Sequence, residues 1–284
     1  MPHVKPWLTL AEWGKKYGDI SHIEVLGQHI IVLNSTKTAM EILDKKSSIY
    51  SDRPVFPMAE LVGLKDVLTM LPYGDSLRSN RRNFQRLIGS RAAMKDFHPI
   101  ETIETHRFLK RVLAEPGELM EHLQHTAGAV ILRISHGYEV QEKNDPFVDL
   151  ANRANAIFSK STAPGAWMVD IIPSLAEVPE WFPGAGFKRV AREWNRIFEE
   201  MVSAPFQFVK DQMAAGIAPK SFTSSLLEGT LSAEEEHMLK WTAGTLYGAG
   251  SDTVCPSLHV RNYHNSVDTY FLRLFLQPMR FSWL

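Results

Sequence analysis

A single cysteine, Cys255, in a chain of 284 residues excludes an internal disulfide framework and suits a reducing compartment. Long apolar runs are missing too. No stretch of about 18 consecutive apolar residues occurs, so nothing reads as a membrane-spanning helix, and the opening residues lack the apolar core of a secretory signal. Charge of one sign is equally scarce. The net charge is −1 and no lysine or arginine run is long enough to act as an arm, which argues against nucleic acid as a partner. There is no internal repeat at solenoid periods and no low-complexity tract. With 44% hydrophobic and 22% charged residues, the remainder is an ordinary globular composition, long enough for one large domain or two small ones.

Helical periodicity dominates what is there, so the expected fold class is mainly α with a small N-terminal β-hairpin. The chain opens with an amphipathic helix over Pro6–Tyr17, stopped by Gly18, with Trp7, Leu10, Ala11 and Gly14 on one face. Ile20, Ile23 and Val25, then Ile30 to Leu33 after Gly27 and Gln28, predict two β-branched strands joined by a tight turn. Ser35 or Thr36 caps a helix whose apolar face carries Ala39, Met40, Ile42 and Leu43. Two long helices follow over residues 100–113 and 118–135, broken at Glu115-Pro116-Gly117. His122 and His125 stand three apart on the second without a carboxylate or cysteine in ligand register, and read better as satisfied histidines than as metal ligands. Another helix spans Pro146–Ser161. The loop after it is rich in Pro and Gly yet carries Trp167, Met168, Ile172, Trp181 and Phe182, an apolar set for a connection.

Chemistry is written most clearly in residues 231–254. Ser232 with Glu235 three residues later is a capping box, and Glu234, Glu235 and Glu236 place negative charge where a helix N-terminus favours it. The helix then turns apolar through Met238, Leu239, Trp241 and Leu246, so it runs inward. Gly244, Gly248 and Gly250 each cost about 1 kcal/mol relative to Ala in a helix interior, and Asp252 and Thr253 add a carboxylate and a hydroxyl. Two readings stand. The glycines serve a close helix crossing beside a satisfied polar pair, or they let a flat, bulky group lie against the backbone with Asp252 and Thr253 beside it as a proton-relay pair.

Ala249-Gly250-Ser251-Asp252-Thr253 resembles the A/G-G-x-D/E-T signature of the long central helix of cytochrome P-450 monooxygenases. Further blocks resemble that family in the same order. Lys16-Tyr17-Gly18 before the hairpin and Ser51-Asp52-Arg53-Pro54 after it resemble fungal members. Tyr73-Gly74-Asp75 leads to Arg78, Arg81 and Arg82, and Trp181-Phe182-Pro183-Gly184-Ala185-Gly186 leads into a long helix. The resemblance implies haem as cofactor, with Ala249 and Gly250 as the helix wall facing it and Arg81 as a bidentate propionate partner. Asp252 and Thr253 take the catalytic role of proton relay. It also implies an apolar small-molecule substrate, electrons from an NADPH-cytochrome reductase, a variable loop over residues 55–71 above the substrate, and peripheral membrane contact through the stretch from Trp167 to Phe182. The family belongs to the endoplasmic reticulum membrane; without an anchor, this chain is expected in the cytoplasm or peripherally bound.

The sequence also departs from the family. Leu77 stands where the family has a haem-anchoring Trp, and Val254 where it has Thr or Ser. Pro256 would interrupt the central helix at a cost of about 3 kcal/mol. Residues 255–284 contain neither the later E-x-x-R nor the F-x-x-G-x-R-x-C loop whose thiolate ligates iron, and Cys255 lacks that context. The expectation is therefore an incomplete cytochrome P-450 fold over residues 1–254, followed by an aberrant tail from a frame shift, retained intron or alternative exon. The chain is expected to be a catalytically incompetent fragment with no metal ligand. The alternative is a haem-free helical binding or regulatory protein.

Overall fold

The structure is a computed structural model and describes residues 6–25, 27–163 and 165–252. The chain divides into two compact units, Met1–Pro54 and Val55–Leu284.

In the first unit, α1 spans Pro6–Tyr17 and is followed by an antiparallel hairpin of β1, Ile20–Val25, and β2, Gln28–Leu33. Val25 pairs with Gln28, so the connection is residues 26–27, one residue earlier than the sequence suggested, and Gly27 supplies the positive φ of +82° that such a tight turn needs. Gly14 allows α1 to approach the end of β2, because a β-carbon there would stand 2.7 Å from Asn34 Cβ. Leu10, Trp13 and Gly14 form the covered side of α1, whereas Trp7 is exposed, which corrects the face expected from spacing alone. Ser35 caps α2, Thr36–Ala39, by accepting from the Thr38 amide, and the chain continues as a wider π-helical stretch, Met40–Lys45, before α3, Ser47–Tyr50.

The second unit is built of helices. α4 covers Pro57–Leu61, α5 Asp75–Ile88 and α6 Arg91–Met94. α7, His98–Ala114, and α8, Leu119–His136, are the pair expected on either side of Pro116. Their contact is fastened by a buried carboxylate: Glu104, 2% exposed, accepts from Arg107 at 3.1 Å and Arg133 at 3.4 Å. α9 spans Pro146–Ser161, with the Asp145 side chain accepting from the Phe147 and Val148 amides, and α10 is the short Met168–Ile171 turn. α11, Gly186–Ala214, is the longest helix described and runs through Pro205; α12 is Phe222–Leu226 and α13 is Ala233–Asp252.

α13 is the axis of this unit and packs against α5, α8, α9, α11 and α12. The core gathers around it, with Phe198 and Met201 from α11, Leu132 from α8 and Ala154 from α9. Residues 55–71 do not form an open loop. Met58, Val62 and Leu64 are wholly buried, Asp170 accepts from the Met58 amide at 2.8 Å, and Asn195 donates to the Val62 carbonyl at 3.0 Å. The apolar loop after α9 divides: Val169 is buried and Trp167 packs edge-on to Trp194, while Trp181 is 81% exposed. His122 and His125 each donate from Nε2 to a backbone carbonyl, of Glu115 and Gln141, both at 2.8 Å.

Candidate functional site

α13 begins as its sequence dictates. Glu235 accepts from the Ser232 amide at 2.8 Å, and Ser232 Oγ accepts from the Glu235 amide at 3.2 Å. Two turns later the helix is inside the protein, with Trp241, Thr242, Ala243 and Gly244 buried in succession, so it is covered on every side there. The covering is closest where side chains are missing. A β-carbon on Gly244 would stand 2.9 Å from Val202 Cγ1 on α11, and one on Gly250 would stand 2.7 Å from Ile131 Cδ1 on α8. Both glycines are therefore explained by helix crossing. Ala249, in contrast, is exposed.

Polar side chains fix the rotation of α13. Thr242, fully buried, donates to Asn80 Oδ1 on α5, and Asn80 in turn donates to the Ser76 carbonyl at 2.9 Å. Asn155 of α9 donates to Ser251 Oγ at 2.9 Å and to the Gly248 carbonyl at 3.3 Å. The Tyr247 hydroxyl donates to the Phe147 carbonyl, and its ring meets His136 of α8 edge-on at 5.9 Å. Burial raises the Tyr247 hydroxyl far above the ordinary phenol value and lowers His136 to about 3, so both groups are neutral at physiological pH. His136 Nδ1 lies 2.7 Å from Ser135 Oγ, and its Nε2 is buried without a partner among the described residues.

The direction of Ala249 follows from that rotation. Residues seven apart on a helix lie on nearly the same face, about 10 Å apart along the axis. Ala249 is seven residues beyond Thr242, and Thr242 faces Asn80. On the face of α13 that is sealed against α5 at Thr242, Ala249 two turns later is exposed. Arg81, the residue after Asn80, is half-buried on α5, four residues after the buried Leu77, and makes no ion pair with any described residue. Arg78 of the same helix is engaged locally instead: it donates to Asp75 at 2.8 Å and lies over the Tyr73 ring at 5.5 Å.

This geometry accommodates part of what a haem requires: an open helix face presenting a methyl group, and an uncommitted guanidinium on the neighbouring helix. Among the described residues, no group of three His, Cys, Asp or Glu side chains could hold a metal ion. Asp252 closes α13; its side chain, and the whole of Thr253, lie outside the described residues, as does Cys255.

The profile described as Cytochrome P450 matches residues 2–260. The chain belongs to the cytochrome P450 family. Two fungal cytochrome P450 relatives align over nearly its whole length. "Cytochrome P450 monooxygenase 208" of Postia placenta is 45% identical over 280 residues, 98% of this chain and 53% of the relative. "Cytochrome P450 monooxygenase claR" of Ampulloclitocybe clavipes is 42% identical, over 98% of this chain and 50% of the relative. The chain thus spans about half the length of the curated relatives it matches. A zebrafish cytochrome P450 crystallised with progesterone superposes with a TM-score of 0.65 over 90% of this chain and 58% of that one, at 17% identity, a similarity of fold. Mainly helical architecture with a small antiparallel sheet is what the family leads one to expect, and it is what the described residues of this P450 chain have. No helix among the described residues is long and apolar enough to cross a membrane.

The residues that the sequence did not single out are the ones that orient this site: Asn80, Thr242, Asn155 and Tyr247. One signal for Asn80 was available. It falls between Leu77 and Phe84 on the apolar stripe of α5, where a buried amide must find a partner.

Proposed function

We propose that this chain forms one wall of the haem and substrate pocket of a cytochrome P450 monooxygenase that oxidises an apolar small molecule with O₂ and reductase-supplied electrons. The observation that carries this reading is the opening of α13 at Ala249, on the face that two turns earlier is pinned to α5 beside Arg81. When bound, haem supplies the chemistry of O₂ activation, which no amino-acid side chain provides. The chain's own residues hold and serve it. Ala249 forms the wall, next to Gly250 whose missing side chain leaves room for Ile131, and the Arg81 guanidinium neutralises a propionate through paired N–H donors. The Thr253 hydroxyl and the Asp252 carboxylate pass protons from solvent toward the open face. Buried Leu77 contributes packing where an indole would contribute a donor, so Arg81 carries more of the anchoring.

The same proposal includes an absence of turnover by these 284 residues alone. Their one cysteine, Cys255, stands in a Val-Cys-Pro-Ser sequence unlike a thiolate loop. Exposed Met168, Ile172, Trp181 and Phe182 suit peripheral contact with a membrane surface, which would deliver apolar substrate to the chain.

Titration of the purified chain with hemin, followed by absorbance, tests both statements. Saturable binding that Ala249→Trp abolishes supports the pocket, and absence of a thiolate-type band in the reduced carbon monoxide complex supports the lack of turnover. Binding unaffected by Ala249→Trp would overturn the pocket. A thiolate-type band would overturn the second statement, and ligand-dependent thermal stabilisation without any iron would favour a haem-free binding protein.

A further inference from the structure

The hairpin of the first unit carries an arrangement that the haem reading does not use. β1 and β2 pair so that Glu24 stands opposite His29 and His22 opposite Ile31, which places His22, Glu24 and His29 on one face of the ribbon. All three are exposed, whereas Ser21, on the other face, is buried. The two imidazoles lie diagonally across the strands with ring centroids 5.2 Å apart and planes 29° from parallel. His22 Nε2 and His29 Nδ1 point at each other at 3.0 Å, and Glu24 Oε2 lies 3.8 Å from that same His29 nitrogen.

We propose that His22 and His29 form a surface binding site for a borderline divalent transition metal ion such as Zn²⁺, with Glu24 supplying negative charge beside it. The spacing is the first argument. Metal–imidazole bonds of about 2.0–2.1 Å place two nitrogen ligands roughly 2.9 Å apart at a right angle and roughly 3.3 Å apart at the tetrahedral angle. The observed 3.0 Å lies between these values, so an ion enters with a shift of a few tenths of an ångström. Ring chemistry is the second. Two neutral imidazoles share one N–H between the facing nitrogens, since one donates and the other accepts. Moving that proton to the far nitrogen of its own ring frees a lone pair on each of the two facing nitrogens, with no net proton released. The third is charge: a carboxylate next to the pair favours a dication without ligating it, and water completes the shell around the two imidazoles. Imidazole ligands select Zn²⁺, Ni²⁺ or Cu²⁺ over Mg²⁺ and Ca²⁺. The strand register holds both rings in place before the ion arrives, so little side-chain ordering is left to oppose binding.

The test is calorimetric titration of the whole chain with ZnCl₂ in a chelator-free buffer, repeated with His22→Gln, His29→Gln and Glu24→Gln. One equivalent should bind, at least tenfold more weakly in either histidine variant, and up to about tenfold more weakly in Glu24→Gln. MgCl₂ should give no saturable heat. Circular dichroism checks that the variants keep their helices, and a measurement on the unaltered chain stands independently of them: in histidine NMR spectra, Zn²⁺ should move the ring signals of two of the eleven histidines. Affinity unchanged in both histidine variants, no saturable Zn²⁺ heat, an equal response to Mg²⁺, or ring shifts at histidines other than this pair would each overturn the site.

Discussion

Gly250 on the central helix meets Ile131 on α8 so closely that a β-carbon on Gly250 would stand 2.7 Å from Ile131 Cδ1. Gly250→Ala should therefore destabilise the chain by about 1–3 kcal/mol through overpacking, although alanine is the better helix former. Shortening the opposing side chain should relieve it. In urea unfolding, Gly250→Ala/Ile131→Ala is expected to lose less than the two single variants added together, and strict additivity would show that the contact is not the cause.

A second contact between helices is polar. Thr242→Val keeps the shape of the side chain but removes the donor to buried Asn80 Oδ1, and leaving that amide oxygen unsatisfied should cost about 1–3 kcal/mol. Asn80→Ala should be less harmful in the Thr242→Val background than alone. Equal losses in both backgrounds, measured by denaturant midpoint, would refute the coupling.

Burial holds the His136 imidazole down to about 3, against an ordinary value of 6.5. Below the ordinary value the unfolded chain binds a proton that the folded chain refuses, so stability is complete above about pH 6.5 and declines as pH falls toward 3. The slope is at most about 1.4 kcal/mol per pH unit for this one group. His136→Gln should flatten that part of the stability profile while leaving its neutral-pH end as the reference. An unchanged slope between about pH 6.5 and 4 would mean that other groups dominate acid unfolding.

In the proposed function Arg81 of α5 is the propionate partner, and a charged hydrogen-bonded partner is typically worth a factor of roughly 10 to 100 in affinity. Arg81→Gln is expected to weaken hemin binding by that factor with the helical content unchanged, and Arg81→Lys to fall between, since one ammonium cannot reproduce a two-point fork. Hemin titration curves that coincide for the unaltered chain and the Arg81→Gln variant would remove the residue from the site.

Glu104 gives a test unrelated to haem. It is 2% exposed and bound by Arg107 and Arg133, both of which also pair with exposed Glu139, so Glu104→Ala removes the buried carboxylate but leaves each guanidinium a partner. A loss of about 1–3 kcal/mol is expected. Thermal unfolding with and without the substitution measures it.

Local signals were legible wherever one residue type has few alternatives. Ser232 with Glu235 announced the start of α13, Gly27 between β-branched runs announced the hairpin, and Glu115-Pro116-Gly117 announced the break between α7 and α8. The order of Ala249-Gly250-Ser251-Asp252-Thr253 after the Arg81 block identified the family. Residues 55–71 went the other way. Their apolar content looked the same for a loose pocket cover and for a packed segment, and only the burial of Met58, Val62 and Leu64 separated the two.

The amino-acid order by itself determined that a hairpin follows the first helix, where the central helix starts, and membership of the cytochrome P450 family, because capping, turn conformation and residue order act over a few neighbouring positions. The tertiary structure decided what each face of those helices meets. It set Gly250 against Ile131 and Thr242 against Asn80, left Ala249 open, and brought His22 to His29. Such meetings depend on how separate elements are rotated and stacked, and that rotation is fixed jointly by every contact in the core, so no single stretch of sequence encodes it.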